Sequence, residues 1–213
     1  LKFTSEKTDY PGEVGATPSR SLLGRFSAIG AQFFGLGMVH IFTGYDHILF
    51  LLSIVLLLRS VKKILILVTS FTVAHSITLI LAGLQITQIP SHIVEPIIAL
   101  SIIYLAVRNI FFLKNGKENF SLSERFATIF GFGLVHGLGF ASSLADTNIS
   151  PDFFIPSLVI FNIGIELGQL AILAVVVSLL FQIDKLKYRA QALTIASAII
   201  VSVALFWFFQ RIM

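Results

Sequence analysis

A strongly apolar stretch of the chain, residues 37 to 58, carries two histidines and an aspartate. His40 and His47 are seven residues apart, and Asp46 directly precedes the second histidine. Residues seven apart lie on one face of a helix, so the segment gathers imidazole and carboxylate groups in one region. Such groups bind zinc, nickel, iron and copper. The residue types therefore indicate a site for a divalent transition metal.

A regular helix would hold the two histidines too far apart to share one ion. Seven residues rise about 10 Å along a helix axis. Gly44 lies between the histidines, and irregular backbone is tolerated in a membrane where it lines a cavity. An unwound segment at Gly44 would bring the two imidazoles together. Without one, His40 would act at the entrance, and Asp46 or His47 would be the ligand.

The elements that must position these residues are membrane helices. The chain of 213 residues is 56% hydrophobic and 12% charged, with a mean hydropathy of +0.92. A soluble domain carries about twice that charged fraction. A bilayer core needs about 20 apolar residues per helix, so we predict an all-α, polytopic membrane protein with six transmembrane helices. The predicted spans are roughly 38–58, 64–83, 92–112, 127–145, 156–180 and 191–209.

The polar and apolar residues divide the chain into three segments. Residues 1–18 are polar and read as a tail or linker. Because residue 1 is Leu rather than Met, we expect this tail to end an extracytoplasmic region that precedes the sequence. Residues 19–36 have apolar side chains near one helical face, which predicts an amphipathic helix at the membrane interface. The same pattern also fits an extension of the first span. Residues 37–213 form the transmembrane domain.

Basic residues alternate between the loops. Lys and Arg occur around residues 59–63, 108–125 and 185–189, whereas the loops at 84–91 and 146–155 contain neither. Basic loops remain in the cytoplasm, so both termini are expected on the extracytoplasmic side. The absence of cysteine excludes disulfides and thiolate ligands, and nothing in the sequence indicates a nucleic-acid partner.

With this orientation, polar side chains from four predicted spans reach the outer half of the membrane. The candidate ligands are His40, Asp46, His47, His75, His136 and Glu166. The residues expected around them are Thr72, Glu95 and Asn162. We find no Lys or Arg at the depth of Asp46 or Glu166. An acid in hydrocarbon must be protonated, paired or bound to a cation, so the neighbouring histidines favour a metal ion.

Several segments also resemble a known family. The pattern His40-x5-Asp46-His47 is similar to the HX5DH signature of the HupE/UreJ family, the hydrogenase/urease accessory membrane proteins. The other segments that resemble its broader branch are FTVAHSITL, VEPIIALSIIY, FGLVHGLGFAS and FNIGIELGQL. The resemblance implies a six-helix, multi-pass protein of the bacterial inner membrane that is associated with uptake of nickel or a similar metal. Nickel permeases of the family carry a later FHAHAHGxE-type motif, where this chain has His136 alone.

Two functions follow from this pattern. The first is a permease for nickel or another transition metal. The alternative is an intramembrane zinc-dependent hydrolase that acts on a lipid or peptide at the outer leaflet, with Asp46 or Glu166 as general base. A metal-free, hydrogen-bonded polar core is the third interpretation. The sequence leaves open whether the protein is an enzyme and what its oligomeric state is. Its expected partners are membrane lipids and the metal ion.

A short motif occurs twice in the chain. FGLGMVH at residues 34–40 is similar to FGFGLVH at residues 130–136. The two copies would lie on oppositely directed spans, so they could mark an inverted repeat of three plus three helices. Close packing of helices around small residues explains the glycines equally well.

Overall fold

A computed structural model describes residues 22–116, 121–140 and 151–213, so the predicted tail at residues 1–18 lies outside the described part. Seven helices and no strand occur in these ranges. They are α1 (Leu22–Thr43), α2 (Tyr45–Val55), α3 (Val61–Gly83), α4 (Ser91–Asn115), α5 (Leu122–Gly139), α6 (Pro151–Ile183) and α7 (Arg189–Ile212). The prediction of an all-α, polytopic membrane protein is confirmed.

Most of these helices are long and apolar enough to cross a bilayer. Within the described residues, α1, α3, α4, α6 and α7 meet that length and hydropathy, and α2 is a shorter apolar helix. The helix α5 carries the fourth predicted span, whose last residues, 141–145, lie outside the described part. Local signals fix several ends: Ser121 and Glu124 form a reciprocal capping box that starts α5.

The first predicted span differs from the structure. Residues 38–58 do not form one helix, because the chain is interrupted at Gly44 between α1 and α2. Upstream of the interruption, α1 runs without a break from Leu22 to Thr43. The boundary suggested between residues 36 and 37 therefore falls inside a helix. Packing against α6 extends α1 in this way: the rings of Phe26 and Phe153 lie 6.1 Å apart.

Three helix pairs form the closest contacts: α1 with α6, α3 with α5, and α4 with α7. The contacts of α1 advance along α6 in the same direction, from Gly30 against Ile160 to Ile41 against Gly168. The members of this pair are therefore parallel. In contrast, the start of α4 meets the end of α7, where Arg211 contacts Glu95, so that pair is antiparallel.

The glycines of the repeated motif lie at two of these contacts. A Cβ on Gly37 would overlap the carbonyl group of Phe161 on α6. A Cβ on Gly133 would come within 2.7 Å of the carbonyl oxygen of Phe71 on α3. Both helices therefore need a glycine three residues before a histidine to let two backbones approach. Packing is thus sufficient to explain the glycines at these two positions.

Two apolar clusters lie on either side of the histidines. The large apolar cluster includes Phe50, Leu67, Phe71, Ile102, Leu173 and Ile200. The small apolar cluster contains Phe33, Ile41, Leu79, Leu158, Phe161 and Ile165. Along α3, His75 falls between Phe71 of the large cluster and Leu79 of the small one. The fold therefore places this histidine at the boundary between the two clusters.

Candidate metal site

The interruption at Gly44 determines how the first two histidines meet. Gly44 has φ −76° and ψ 79°, which is outside the helical region. A Cβ at this position would lie 2.7 Å from the carbonyl oxygen of His40 and 2.9 Å from Nδ1 of His47. The absence of a side chain at Gly44 lets the ring centroids of His40 and His47 approach to 4.8 Å. This is about half the separation that a regular helix would give.

His75 on α3 completes a three-histidine group. Its ring centroid lies 5.9 Å from that of His40 and 5.5 Å from that of His47. One ring nitrogen of each histidine lies within 4.8 Å of the others, in the only such group found among the described residues. We call His40, His47 and His75 the histidine triad. It joins three separate helices at one point.

Five of the six ring nitrogens of the triad lack a hydrogen-bond partner among the described residues. Nε2 of His40 and both nitrogens of His47 and His75 are buried with no partner among the described protein groups. Buried polar atoms are nearly always hydrogen-bonded in folded proteins. Unpartnered lone pairs on three converging imidazoles therefore mark a place for an electron-pair acceptor, which a transition-metal ion would be.

His136 on α5 adjoins the triad. Its ring centroid lies 5.2 Å from that of His47, and the residue is 1% exposed. Its Nε2 lies 3.0 Å from the hydroxyl oxygen of Ser101, whose own proton is donated to the carbonyl oxygen of Ile98 at 2.6 Å. Because a hydroxyl has one proton to donate, Nε2 of His136 must donate to Ser101. The lone pair is then on Nδ1, which is buried without a partner.

Aromatic rings surround these four histidines. Phe140 lies 4.4 Å from the ring of His40 between centroids, and Phe161 lies 5.5 Å from it. On the opposite side, Phe50 and Phe71 lie 4.7 Å and 5.1 Å from His136. Such an apolar shell controls the access of water to a metal site. Of the 21 phenylalanines in the sequence, these four contribute to the apolar shell of the histidines.

Asp46 has a basic partner, contrary to the sequence prediction. Its Oδ2 accepts a hydrogen bond from Nη2 of Arg211 at 2.8 Å. Arg211 also donates to the carbonyl oxygen of Glu95 at 3.1 Å, and its Nε lies 3.7 Å from the Glu95 carboxylate. The prediction ended the last span at residue 209, whereas α7 continues to Ile212. The charge of Asp46 is therefore neutralised without a metal ion.

Glu166 also lies outside the triad. Its Oε1 accepts a hydrogen bond from the Thr69 hydroxyl at 2.6 Å, while Oε2 is buried without a partner. Two of the residues expected around the ligands are also hydrogen-bonded to groups other than the histidines. Thr72 donates to Gln169 at 2.7 Å, and the Asn162 amide donates to the carbonyl oxygen of Leu158 at 2.7 Å. The structure thus gathers four histidines and places the acids on separate partners.

A comparison with known proteins identifies the family. The family model described as HupE / UreJ protein matches residues 21–211. The chain belongs to the HupE/UreJ family. No curated protein and no solved structure matches it. In this HupE/UreJ chain, the His40-x5-Asp46-His47 signature has two different surroundings. Its two histidines belong to the triad, and its aspartate pairs with Arg211.

Sequence reasoning missed two residues next to this site. Ser101 was hidden because a single hydroxyl in a transmembrane helix is common and usually bonds its own backbone. Arg211 was hidden because it is 165 positions from Asp46 and follows an apolar run. A search for basic residues within one turn of each predicted span end would have found Arg211.

Proposed function

We propose that the protein binds a divalent transition-metal ion at the histidine triad and transfers it across the bacterial inner membrane. The observation that carries the proposal is the convergence of His40, His47 and His75: one ring nitrogen of each lies within 4.8 Å of the others, and five of their six ring nitrogens are buried without partners among the described residues. Imidazole ligands suit nickel and zinc. Membership of the HupE/UreJ family, which is associated with nickel and cobalt transport, supports an ion as the cargo.

The triad is close to the geometry that an ion requires. Zinc–nitrogen distances of 2.0–2.1 Å put tetrahedral ligand nitrogens roughly 3.4 Å apart. The triad nitrogens, within 4.8 Å of one another, therefore need to approach by up to about 1.4 Å to reach this spacing. His136 lies outside this group of three, although its ring centroid is 5.2 Å from that of His47 and its Nδ1 is buried without a partner. Neutral imidazoles do not cancel the ion's charge, and conduction requires that a bound ion can also leave its site.

The position of the triad suggests how release occurs. His40 belongs to the α1–α6 pair, whereas His75 and His136 belong to the α3–α5 pair. Each pair is closely packed around glycines such as Gly37 and Gly133, so we treat each as a rigid unit. Movement of one pair against the other would separate His40 from His75 and open the triad. The large apolar cluster closes one side of the site in the described conformation, so such a movement is required for transport.

A measurement of metal binding tests the proposal. Nickel, cobalt and zinc are titrated into the purified protein, and bound metal is measured by mass spectrometry. We expect one ion per chain in the wild type and at least a tenfold loss of affinity in His75→Ala. His92→Ala is the matched control, because His92 is exposed at the start of α4. Failure of the wild type to bind any of the three ions would contradict the proposal.

A hydrolase is the second candidate, and one observation favours it. Three histidines are the ligand set of some catalytic zinc sites, which keep the fourth position for water. However, neither acid suggested as a base is in the triad: Asp46 is paired with Arg211, and Glu166 accepts from Thr69. Uptake of metal into proteoliposomes without turnover of lipid or peptide would support the permease. Turnover without uptake would support the hydrolase.

A further inference from the structure

Arg211 in the last turn of α7 joins the ends of three helices. Its guanidinium group donates to the Asp46 carboxylate at the start of α2 and to the carbonyl oxygen of Glu95 at the start of α4. The ring of Trp207 lies 5.7 Å from its Cζ atom. The side chains of Arg211 and Asp46 are only 18% and 24% exposed. This ion pair is therefore shielded more than most surface pairs, which contribute little.

No side-chain hydrogen bond caps the first turn of α2, in which the buried His47 packs against the other histidines. The helix is 11 residues long, follows the interruption at Gly44, and has no side-chain hydrogen bond at its N-cap. Two residues in this turn point in different directions: Asp46 contacts α7, and the adjacent His47 contacts the other histidines. Neighbouring residues on a helix are about 100° apart around its axis. Holding Asp46 therefore fixes the rotation of α2 and, with it, the direction of the His47 ring.

We propose that Arg211 is a positioning residue for the metal site. Through its ion pair with Asp46, it holds the first turn of α2 so that the His47 imidazole faces His40 and His75. The forked guanidinium is suited to this role because it binds Asp46 and the Glu95 backbone at once, which a lysine cannot do in the same way. The effect on metal affinity rests on the function proposed above; the effect on the position of α2 does not.

A double-mutant cycle on metal affinity tests the pathway through Asp46. We expect Arg211→Gln and Asp46→Asn each to weaken nickel binding about tenfold or more, as loss of an outer partner of a metal site does. If Arg211 acts through Asp46, the double variant binds no more weakly than the weaker single variant. Arg211→Lys keeps the charge and should recover part of the loss. Additive losses in the double variant would overturn the inference.

The control variant is Arg189→Gln. Arg189 forms an ion pair with Asp184. The side chains of these two residues are 24% and 25% exposed, which is similar to the exposure of Arg211 and Asp46. It is located at the opposite end of α7. We expect its loss to leave nickel affinity unchanged. An equal loss in Arg189→Gln and Arg211→Gln would show that any broken ion pair weakens the protein, and the inference would fail.

A second measurement does not depend on metal. The chain has no cysteine, so spin labels attach only at introduced sites, here Tyr45→Cys on α2 and Phe206→Cys on α7, which are 57% and 65% exposed. We expect a narrow distance distribution that broadens with Arg211→Gln and does not change with Arg189→Gln. An unchanged distribution with Arg211→Gln overturns the inference whatever the affinity shows. If the wild type binds no metal and Arg211→Gln still broadens the distribution, the anchoring of α2 is supported and only the proposed function is contradicted.

Discussion

At the scale of single residues, hydrogen bonds decide which ring nitrogens are available to an ion. His136 illustrates this, because its Nε2 proton goes to Ser101 and leaves the Nδ1 lone pair unused. Histidines that bind metals almost always donate their other nitrogen to such a partner. His47 and His75 have no such partner among the described residues, because neither of their ring nitrogens is hydrogen-bonded. His136 is therefore the imidazole whose tautomer is fixed before an ion arrives.

Replacement of Ser101 by alanine tests this fixed tautomer. Ser101→Ala leaves the Nε2 proton of His136 buried without an acceptor, which costs about 1–3 kcal/mol. We expect a lower melting temperature in detergent and a several-fold weaker nickel affinity, both measured on the purified protein. Ser197→Ala is the matched control: Ser197 is also fully buried, but its hydroxyl bonds only the carbonyl oxygen of Leu193. Equal nickel affinities in the two variants would contradict the role of Ser101.

At the scale of helices, the interruption between α1 and α2 creates the triad. A side chain at Gly44 would occupy the space between the carbonyl oxygen of His40 and Nδ1 of His47. We therefore expect Gly44→Ala to separate the two rings and to reduce nickel affinity at least tenfold, measured by titration calorimetry. Gly35→Ala on α1 is the control, since a Cβ there meets nothing within 4 Å. A Gly44→Ala variant with wild-type affinity would show that the interruption is not required.

The contact between α3 and α5 gives a second prediction at this scale. A Cβ on Gly133 would lie 2.7 Å from the Phe71 carbonyl oxygen and 2.8 Å from Cβ of Ala74, whereas one on Gly131 would meet nothing within 4 Å. Overpacking typically costs about 1–3 kcal/mol, but alanine in an open helix position stabilises by up to about 1 kcal/mol. We expect Gly133→Ala to lower the melting temperature and Gly131→Ala to leave it equal or higher. The reverse order would contradict the packing described for this pair.

At the scale of the whole molecule, features that depend on neighbouring residues were predicted better from the sequence than contacts between distant residues. Hydropathy located α3, α4, α6 and α7 because each is a long apolar run. The sequence predicted that His40 and His47 would meet only if the helix were broken at Gly44, because a glycine permits a break but does not require one. The partner of Asp46 was predicted wrongly, since hydropathy says nothing about which helix ends meet.

Two groups of ion pairs lie at opposite ends of the molecule. Arg211, Asp46 and Glu95 form one group, while Arg59 and Arg189 pair with Asp184 in the other. Arg189 is the first residue of α7, and Arg211 is the last but one. The 22 residue steps of helix from one to the other span about 33 Å. This is close to the 30 Å thickness of a hydrocarbon core. The two groups therefore occupy positions suited to the two membrane surfaces.

The orientation of these two surfaces is the last prediction. Asp184 directly precedes the basic segment at residues 185–189, which ends at Arg189 and which the positive-inside rule places in the cytoplasm. The Arg211 group and the exposed loop at 84–90 should then face the extracytoplasmic side. Because the chain has no cysteine, an impermeant maleimide can report single introduced sites in intact cells. We expect labelling of Gln88→Cys before permeabilisation and of Leu186→Cys only afterwards. The opposite result would place the Arg211 group and the loop at 84–90 on the cytoplasmic side.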